Sequence, residues 1–386
     1  MHVKKIIFFG GSRWTKILIK EIISSKNFDF KVIIISPSNF KTIRNWIKIE
    51  GLMNLVQVNR SLSLKDGSIY FASIVSNSTK DHFDSVLFSL NNNIPVLVEK
   101  PVTEKLFQTE KLVEVSRNKK IFLGAAHVYF FSKNMSKISK DIDKRYETLE
   151  IIWSDPINEI RHSEQKFYDF SIPIFTEYLP HVLSILKIIT KNDIYKINAC
   201  KIFNGGSFIK LIMTSKKKTV NLILKRNANK RERFIKAYYK KNTIIYDFSE
   251  TMPSVKSHGK VKKINFDQND KPAKKMITSF FSQIIMKKYN RKLDIKFALR
   301  VNKVIDDVRV IYEEAQLKKL NNIIKGKNIK KQYLAYMVKE IVAGKNIVNK
   351  NYDYHTDLII NNILDLRKNT EKIFLKNLYE IKKYIY

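Results

Sequence analysis

Cysteine is almost absent: Cys200 is the only one in 386 residues. A lone thiol excludes an internal disulfide framework and a CxxC metal site. Long apolar runs are also missing. None approaches the ~20 residues that span a bilayer. The opening MHVKKIIFFGG follows its basic residues with only four apolar ones, too few for a secretory leader. A soluble, cytoplasmic protein is the expectation. Acidic residues are in deficit too, 36 against 72 Lys and Arg, for a formal net charge of +36. Such an excess raises nucleic-acid binding. Its lysines, however, are dispersed. The densest clusters, Lys216-Lys217-Lys218 and Lys262-Lys263, are short and lack interleaved aromatics. Lysine, isoleucine and asparagine are all abundant, as drift toward AT-rich codons produces without selection for function. Nucleic-acid binding is therefore discounted. An anionic substrate, such as a phosphorylated or nucleotide-linked sugar, suits the charge.

What is present is a repeated alternation of apolar runs and amphipathic stretches. Lys4–Phe9 reads as a strand, 10–14 as a tight turn, and a helix follows over 15–24. Strands are expected at 31–35 and 56–58, with a helix over 40–50 between them. Residues 72–101 then read strand, turn, helix, strand: 72–75, Ser76-Asn77-Ser78, 79–90 and 94–98, closed by Glu99-Lys100-Pro101. A further helix (106–118) and strand (120–123) follow. This β-then-α order predicts a doubly wound parallel sheet. From about residue 150 the texture changes to successive short strands, which predict a mostly antiparallel sheet. One helix, 174–189, interrupts them, and helices at 274–286 and 296–316 return to cover the sheet. Beyond 320, helical patterns over 332–342 and 357–384 form an amphipathic tail. The fold class is α/β, with three expected parts: a Rossmann-type domain (1–125), an α/β domain with an open sheet (126–318), and a helical extension (319–386).

Ligands of parallel sheets bind beyond the carboxyl ends of the strands. Gly10-Gly11-Ser12-Arg13-Trp14-Thr15 sits where a dinucleotide fingerprint would lie, although Ser12 and Thr15 fill its second and third glycine positions. Serine leaves backbone N–H groups for a phosphate, while Thr15 is expected to push the helix off the strand. An ordinary βα turn is the competing reading. The second strand ends at Ser36 without an acid for a ribose hydroxyl. With Lys41 and Arg44 nearby there is room for a 2′-phosphate, which favours NADP over NAD; plain surface residues are the alternative. Ser76, Asn77, Glu99 and Lys100 fall at the same edge, where a lysine beside a glutamate suits proton transfer or a substrate hydroxyl. The Lys100–Pro101 bond is a candidate for the cis form, which would fix the lysine's direction. Glu177 and His181 are four apart and share a helix face if the helix runs through Pro180. Histidine's ordinary pKa suits acid–base work, and a structural core histidine is the alternative.

Taken together, Ser76-Asn77-Ser78, Glu99-Lys100-Pro101 and His181 in Leu-Pro-His-Val-Leu-Ser-Ile-Leu resemble the Gfo/Idh/MocA oxidoreductase family. Gly124 to Ser132, Lys225 to Phe248 and Phe266 to Ile311 extend the resemblance to about residues 1–318. It implies an NAD(P)-binding Rossmann domain followed by an α/β domain that dimerises through its open sheet. The form around His181 is most similar to members of surface-polysaccharide pathways, which oxidise or reduce sugar nucleotides. By this resemblance Lys100 contacts substrate near the nicotinamide, and His181 is the acid–base residue. Glu177 stands where the family usually has Asp. Gly10, Gly11, Ser12, Arg13, Trp14, Ser36, Ser76, Asn77 and Glu99 line the cofactor. Many members carry a second acid one or three residues after the histidine, where this chain has Val182 and Ser184. No metal is implied. The alternative function is a catalytically inactive relative acting as a binding or scaffold subunit, with the tail as a site for a protein partner.

Overall fold

The computed structural model of the protein describes residues 4–25, 30–62, 70–156, 159–161, 164–166, 172–203, 207–249 and 253–326. The tail helices expected at 332–342 and 357–384 lie outside them. The chain divides into two compact units, neither continuous in sequence. One comprises Met1–Asp141, Leu183–Asp193 and Asp267–Lys303; the other comprises Ile142–Val182, Ile194–Phe266 and the chain from Val304.

The first unit alternates strand and helix: β1 (Lys4–Phe9), α1 (Arg13–Ile23), β2 (Phe30–Ile35), α2 (Phe40–Ile49), β3 (Val56–Asn59), β4 (Tyr70–Val75), α3 (Thr79–Asn91), β5 (Val96–Val98), α4 (Leu106–Lys119) and β6 (Leu123–Ala125). The strands form one sheet in the order β3-β2-β1-β4-β5-β6, and every pairing is parallel. Alternate residues serve opposite faces, as the pleat requires. Ile6 and Phe8 join one apolar cluster with Leu18, Ile22, Ile43 and Ile47 of α1 and α2. Ile7 and Phe9 join another with Val86, Leu90 and Leu112 of α3 and α4. Each fully buried Ile or Leu contributes about 1.5–3 kcal/mol, so this two-sided pattern fixes the register. The last strand begins three residues later than its apolar pattern suggested. Lys120 takes a left-handed conformation at the end of α4 and turns the chain first.

Two later segments complete this unit. After α5 (Lys133–Asp141), the helix α6 (Ile174–Thr190) runs unbroken through Pro180. Its residues from Leu183 on belong to this unit. Far along the chain comes α7 (Pro272–Met286), whose Met276, Ile277, Phe280 and Phe281 enter the first cluster. Asp270 just ahead of it accepts from Ser132 Oγ at 2.8 Å and Asn134 N at 3.2 Å, and so caps the start of α5. The next helix, α8 (Ile295–Gly326), outruns the expected boundary at 318.

The second unit is built on an eight-stranded sheet. Its strands are β7 (Thr148–Pro156), β10 (Lys196–Phe203), β11 (Phe208–Ser215), β12 (Lys218–Ala228), β13 (Glu232–Tyr239), β14 (Asn242–Asp247), β15 (Ser254–Ser257) and β16 (Lys260–Lys263). A separate small hairpin joins β8 (Glu159–Arg161) to β9 (Glu164–Lys166). The large sheet runs β10-β11-β12-β7-β13-β14-β15-β16 and is antiparallel except where β12 meets β7. Leu149, Ile151 and Trp153 are buried on one face of β7, while Glu150 and Ile152 on the other are half-buried. The two basic clusters are structural. Lys216 and Lys217 are the left-handed residues of the tight turn between β11 and β12. Lys262 and Lys263 lie on the exposed edge strand β16, where lysine discourages further strand pairing.

Candidate active site: a glycine cradle and a stacked histidine

The strand order reverses between β1 and β4, and there the parallel sheet opens a crevice. The ladder continues one residue past each strand: Gly10 N donates to Ile35 O, Ser76 N to Phe9 O and Glu99 N to Val75 O, at 2.8–3.0 Å. The turns after β1, β4 and β5 are thereby held side by side. Gly10 has φ +130, and a Cβ there would stand 2.7 Å from the backbone of Ser76 and Asn77. A Cβ on Gly11 would overlap Ser36 Oγ. The position of Gly10 therefore requires glycine, a side chain at Gly11 would have to displace Ser36, and the closely approaching backbone at Gly10 forms the kind of cradle that admits a pyrophosphate. Ser12 precedes α1 without a capping side-chain bond, and the first turn of α1 carries no acid. That helix N-terminus fits an anion.

Thr15 does not push α1 away. It is fully buried, and its hydroxyl lies 2.9 Å from Ser76 Oγ. Where the fingerprint uses glycine to bring helix and strand together, this chain uses a hydrogen-bonded hydroxyl pair that binds α1 to the β4 turn. Ser76 is thus engaged in the wall of the crevice. Asn77 donates from Nδ2 to Ser85 Oγ at 2.9 Å, leaving its buried Oδ1 without a partner among the described residues.

Trp14 links the first turn to the β5 edge, donating from Nε1 to Glu99 Oε1 at 2.5 Å. Lys100 N donates to Glu99 Oε2 at 3.3 Å. Burial raises the Glu99 pKa, opposed by the Lys100 charge and the Trp14 bond. Lys100 is half-buried and precedes Pro101 through a cis bond. Two histidines flank this edge, and neither stood out in the sequence. His82 places Nδ1 2.9 Å from Pro101 O and Nε2 3.2 Å from Asn77 O, joining the β4 and β5 turns. His127 lies 3.0 Å from Ser184 Oγ through Nδ1, and Phe297 meets its ring edge-on at 4.7 Å. His82 shares the buried stripe of α3 with Ser85, Val86, Ser89 and Leu90, a spacing that would have marked it as inward-facing.

At the end of β2, Ser36 is buried beneath Gly11, while Lys41 and Arg44 are exposed on α2. Arg60 follows β3 and lies 5.0 Å from the Phe40 ring. It adds a cation to this corner that the sequence reading missed.

Glu177 and His181 lie in the other unit, one turn apart on α6, with different partners. Glu177 pairs with Arg226 Nη2 at 3.0 Å. His181 stacks on Trp153, with centroids 5.3 Å apart and planes within 9°. Arg226 and Arg233 are 2% and 1% exposed. Each falls in the buried phase of its strand, in step with Leu224 on β12 and Ile235 on β13. An arginine in an apolar alternation is the signal that would have disclosed them.

The buried histidines set a pH dependence. Burial lowers His82 to about 4 and His127 to about 3; the Lys100 charge pushes both the same way, and backbone bonds partly oppose this at His82. The unfolded chain therefore binds more protons below about 6.5 than the folded one. Stability is full above that pH and falls as pH drops from 6.5 toward 4, at about 1.4 kcal/mol per unit for each histidine. Glu99, shifted upward, works in the opposite direction, one group against two. Thermal melts between pH 7.5 and 5 should show a falling midpoint, shallower in His127→Gln. A flat profile would contradict the burial of both rings.

Comparison with known proteins agrees with this geometry. Residues 5–127 match the family model described as "Oxidoreductase family, NAD-binding Rossmann fold" (GFO_IDH_MocA). No protein of curated function matches the chain in sequence. Among solved structures, UDP-N-acetylglucosamine 3-dehydrogenase GnnA from Acidithiobacillus ferrooxidans shares the fold at TM-score 0.63 and 14% identity, over 81% of this chain and 98% of that one. The 3-ketoreductase KijD10 from Actinomadura kijaniata, solved with NADP and TDP-benzene, gives 0.63 and 12% over 80% and 98%. The dehydrogenase MviM from Clostridium difficile gives 0.64 and 15% over 79% and 98%. Over residues 5–127 the chain is thus similar to the Gfo/Idh/MocA oxidoreductases, whose family model describes an NAD-binding Rossmann fold.

Proposed function

We propose that the chain is an NAD(P)-dependent oxidoreductase acting on a secondary alcohol or ketone of a nucleotide-linked sugar. The observation that carries this reading is the cradle in which Gly10 closes against the Ser76–Asn77 backbone and Gly11 against Ser36, tied through Trp14 to the Glu99–Lys100 edge. When bound, the nicotinamide supplies or accepts a hydride. Gly10, Gly11, Ser12 and the α1 N-terminus hold the pyrophosphate. Ser36, Lys41, Arg44 and Arg60 form a basic corner for a 2′-phosphate, which favours NADP. Lys100 holds and polarises the reacting oxygen, and His181 takes or gives its proton. Glu177, paired with Arg226, anchors the turn of α6 that carries His181. The sugar-nucleotide class is supported by GnnA and KijD10, and the basic surface suits its phosphates.

The same reading makes the protein a homo-oligomer. Ile223, Ile152 and Phe234 stand in register across β12, β7 and β13, half-buried on the face opposite Trp153. The ion pair of Lys236 with Glu150, 2.8 Å apart, lies beside them. Light scattering after size exclusion should give a dimer or larger for the wild type and a monomer for Ile152→Lys. A monomeric wild type sinks the oligomer.

Titration with NADH and NADPH, followed by nicotinamide fluorescence, should show saturable micromolar binding, tighter for NADPH. Gly10→Ala, strained at φ +130 and overlapping backbone, should abolish it. Failure of the folded protein to bind either nucleotide rejects the enzyme reading. Lys100→Ala and His181→Ala should each lower turnover of a sugar nucleotide such as UDP-N-acetylglucosamine about 100-fold or more. Unchanged turnover in both would remove them from the mechanism.

A further inference from the structure

His181 lies on a stack of rings and charges assembled within one unit. Its imidazole is nearly parallel to the Trp153 indole, in the offset arrangement that aromatic pairs favour. The Arg233 guanidinium carbon stands 3.8 Å from the Trp153 ring centroid, a cation–π contact between two buried side chains. Arg233 cannot swing away. Its Nη1 donates to Glu232 O at 2.9 Å and to Ser154 O, and its Nη2 donates to Asp155. Arg233 and Trp153 also face each other directly in the register of β13 and β7. The sheet therefore fixes the arginine, the arginine fixes the indole, and the indole sets the plane of the histidine.

Buried arginines are rarely retained for stability alone, because desolvation consumes most of what their ion pairs return. An apolar residue in the phase of Ile235 would fill this position at no electrostatic cost. A planar cation held by three acceptors does something an apolar residue cannot: it clamps an indole face in a single orientation. We propose that Trp153, clamped by Arg233, is the positioning residue for His181, holding its imidazole in one plane. This inference rests on the reading of His181 as the proton-transfer group, but its test does not.

The full-length protein, labelled with 13C at histidine, gives a C2–H signal for His181 that is assigned by its absence in His181→Gln. An indole stacked on the ring displaces that signal upfield. Trp153→Leu should return it to the position of an unstacked histidine, and Trp153→Phe should keep part of the displacement. Arg233→Lys retains the charge but loses the fork, so it should reduce and broaden the displaced signal. A wild-type signal at the unstacked position overturns the proposal, as does one unmoved by Trp153→Leu. If Trp153→Leu fails to fold, Trp153→Phe decides, because a smaller ring must shrink the displacement and an unchanged shift overturns the stack. Turnover of His181→Ala tests the proton-transfer reading separately, and its failure would leave the stacking signal in place.

Discussion

At Gly10 one backbone meets another with no room for a side chain. A Cβ would stand 2.7 Å from the carbonyl of Ser76 and the N–H of Asn77, at a φ that L-residues avoid. The close approach sits where the strand order reverses, so it draws together the loops that belong to the two halves of the parallel sheet. Much else follows from it. Thr15 can reach Ser76 only because the turn is this tight. Trp14, one residue earlier, is then carried to Glu99. His82 sits between the β4 turn and Pro101, its two ring nitrogens near Asn77 O and Pro101 O. The edge that carries Lys100 is thereby fixed to the edge that would receive a dinucleotide.

The second unit solves a different problem. A helix that presents a histidine must also bury Ile174, Phe175, Tyr178 and Leu179. Its remaining inward positions meet charge, not only apolar surface. Glu177 finds Arg226, and His181 finds an indole backed by Arg233. Two fully buried guanidinium groups are costly in an apolar interior. Arg226 is held by Glu177 and the Ile172 carbonyl, and Arg233 by Asp155 and the carbonyls of Ser154 and Glu232, so removing either carboxylate alone would strand a buried charge.

Much of the architecture was legible in sequence because the first sheet is buried on both sides. Lys4–Phe9, 72–75 and 94–98 are near-continuous apolar runs separated by amphipathic helices, a pattern that parallel sheets share. Harder to read were segments governed by turn geometry. The shift of β6 to Leu123 depends on Lys120 adopting a left-handed conformation, which no residue type announces. The Lys216–Lys217 turn was read as a charge cluster because glycine, the usual residue there, is missing. Thr15 was expected to separate helix and strand. A volume argument at one position cannot see the hydroxyl of Ser76, 61 residues away, that turns the added bulk into a bond.

The amino-acid sequence by itself determined the class of fold and the carboxyl-end edge where a ligand belongs. Both follow from local periodicity and from turn residues at strand ends. It also named Gly10, Asn77, Lys100 and His181, because each lies in a short contiguous motif. Only the tertiary structure decided what these residues touch. Trp14 with Glu99, Thr15 with Ser76, Glu177 with Arg226 and His181 with Trp153 are pairs separated by 28 to 85 positions in the chain. Local pattern specifies which face a side chain serves. Its partner is set by strand order and register, and these emerge only when whole elements pack against one another.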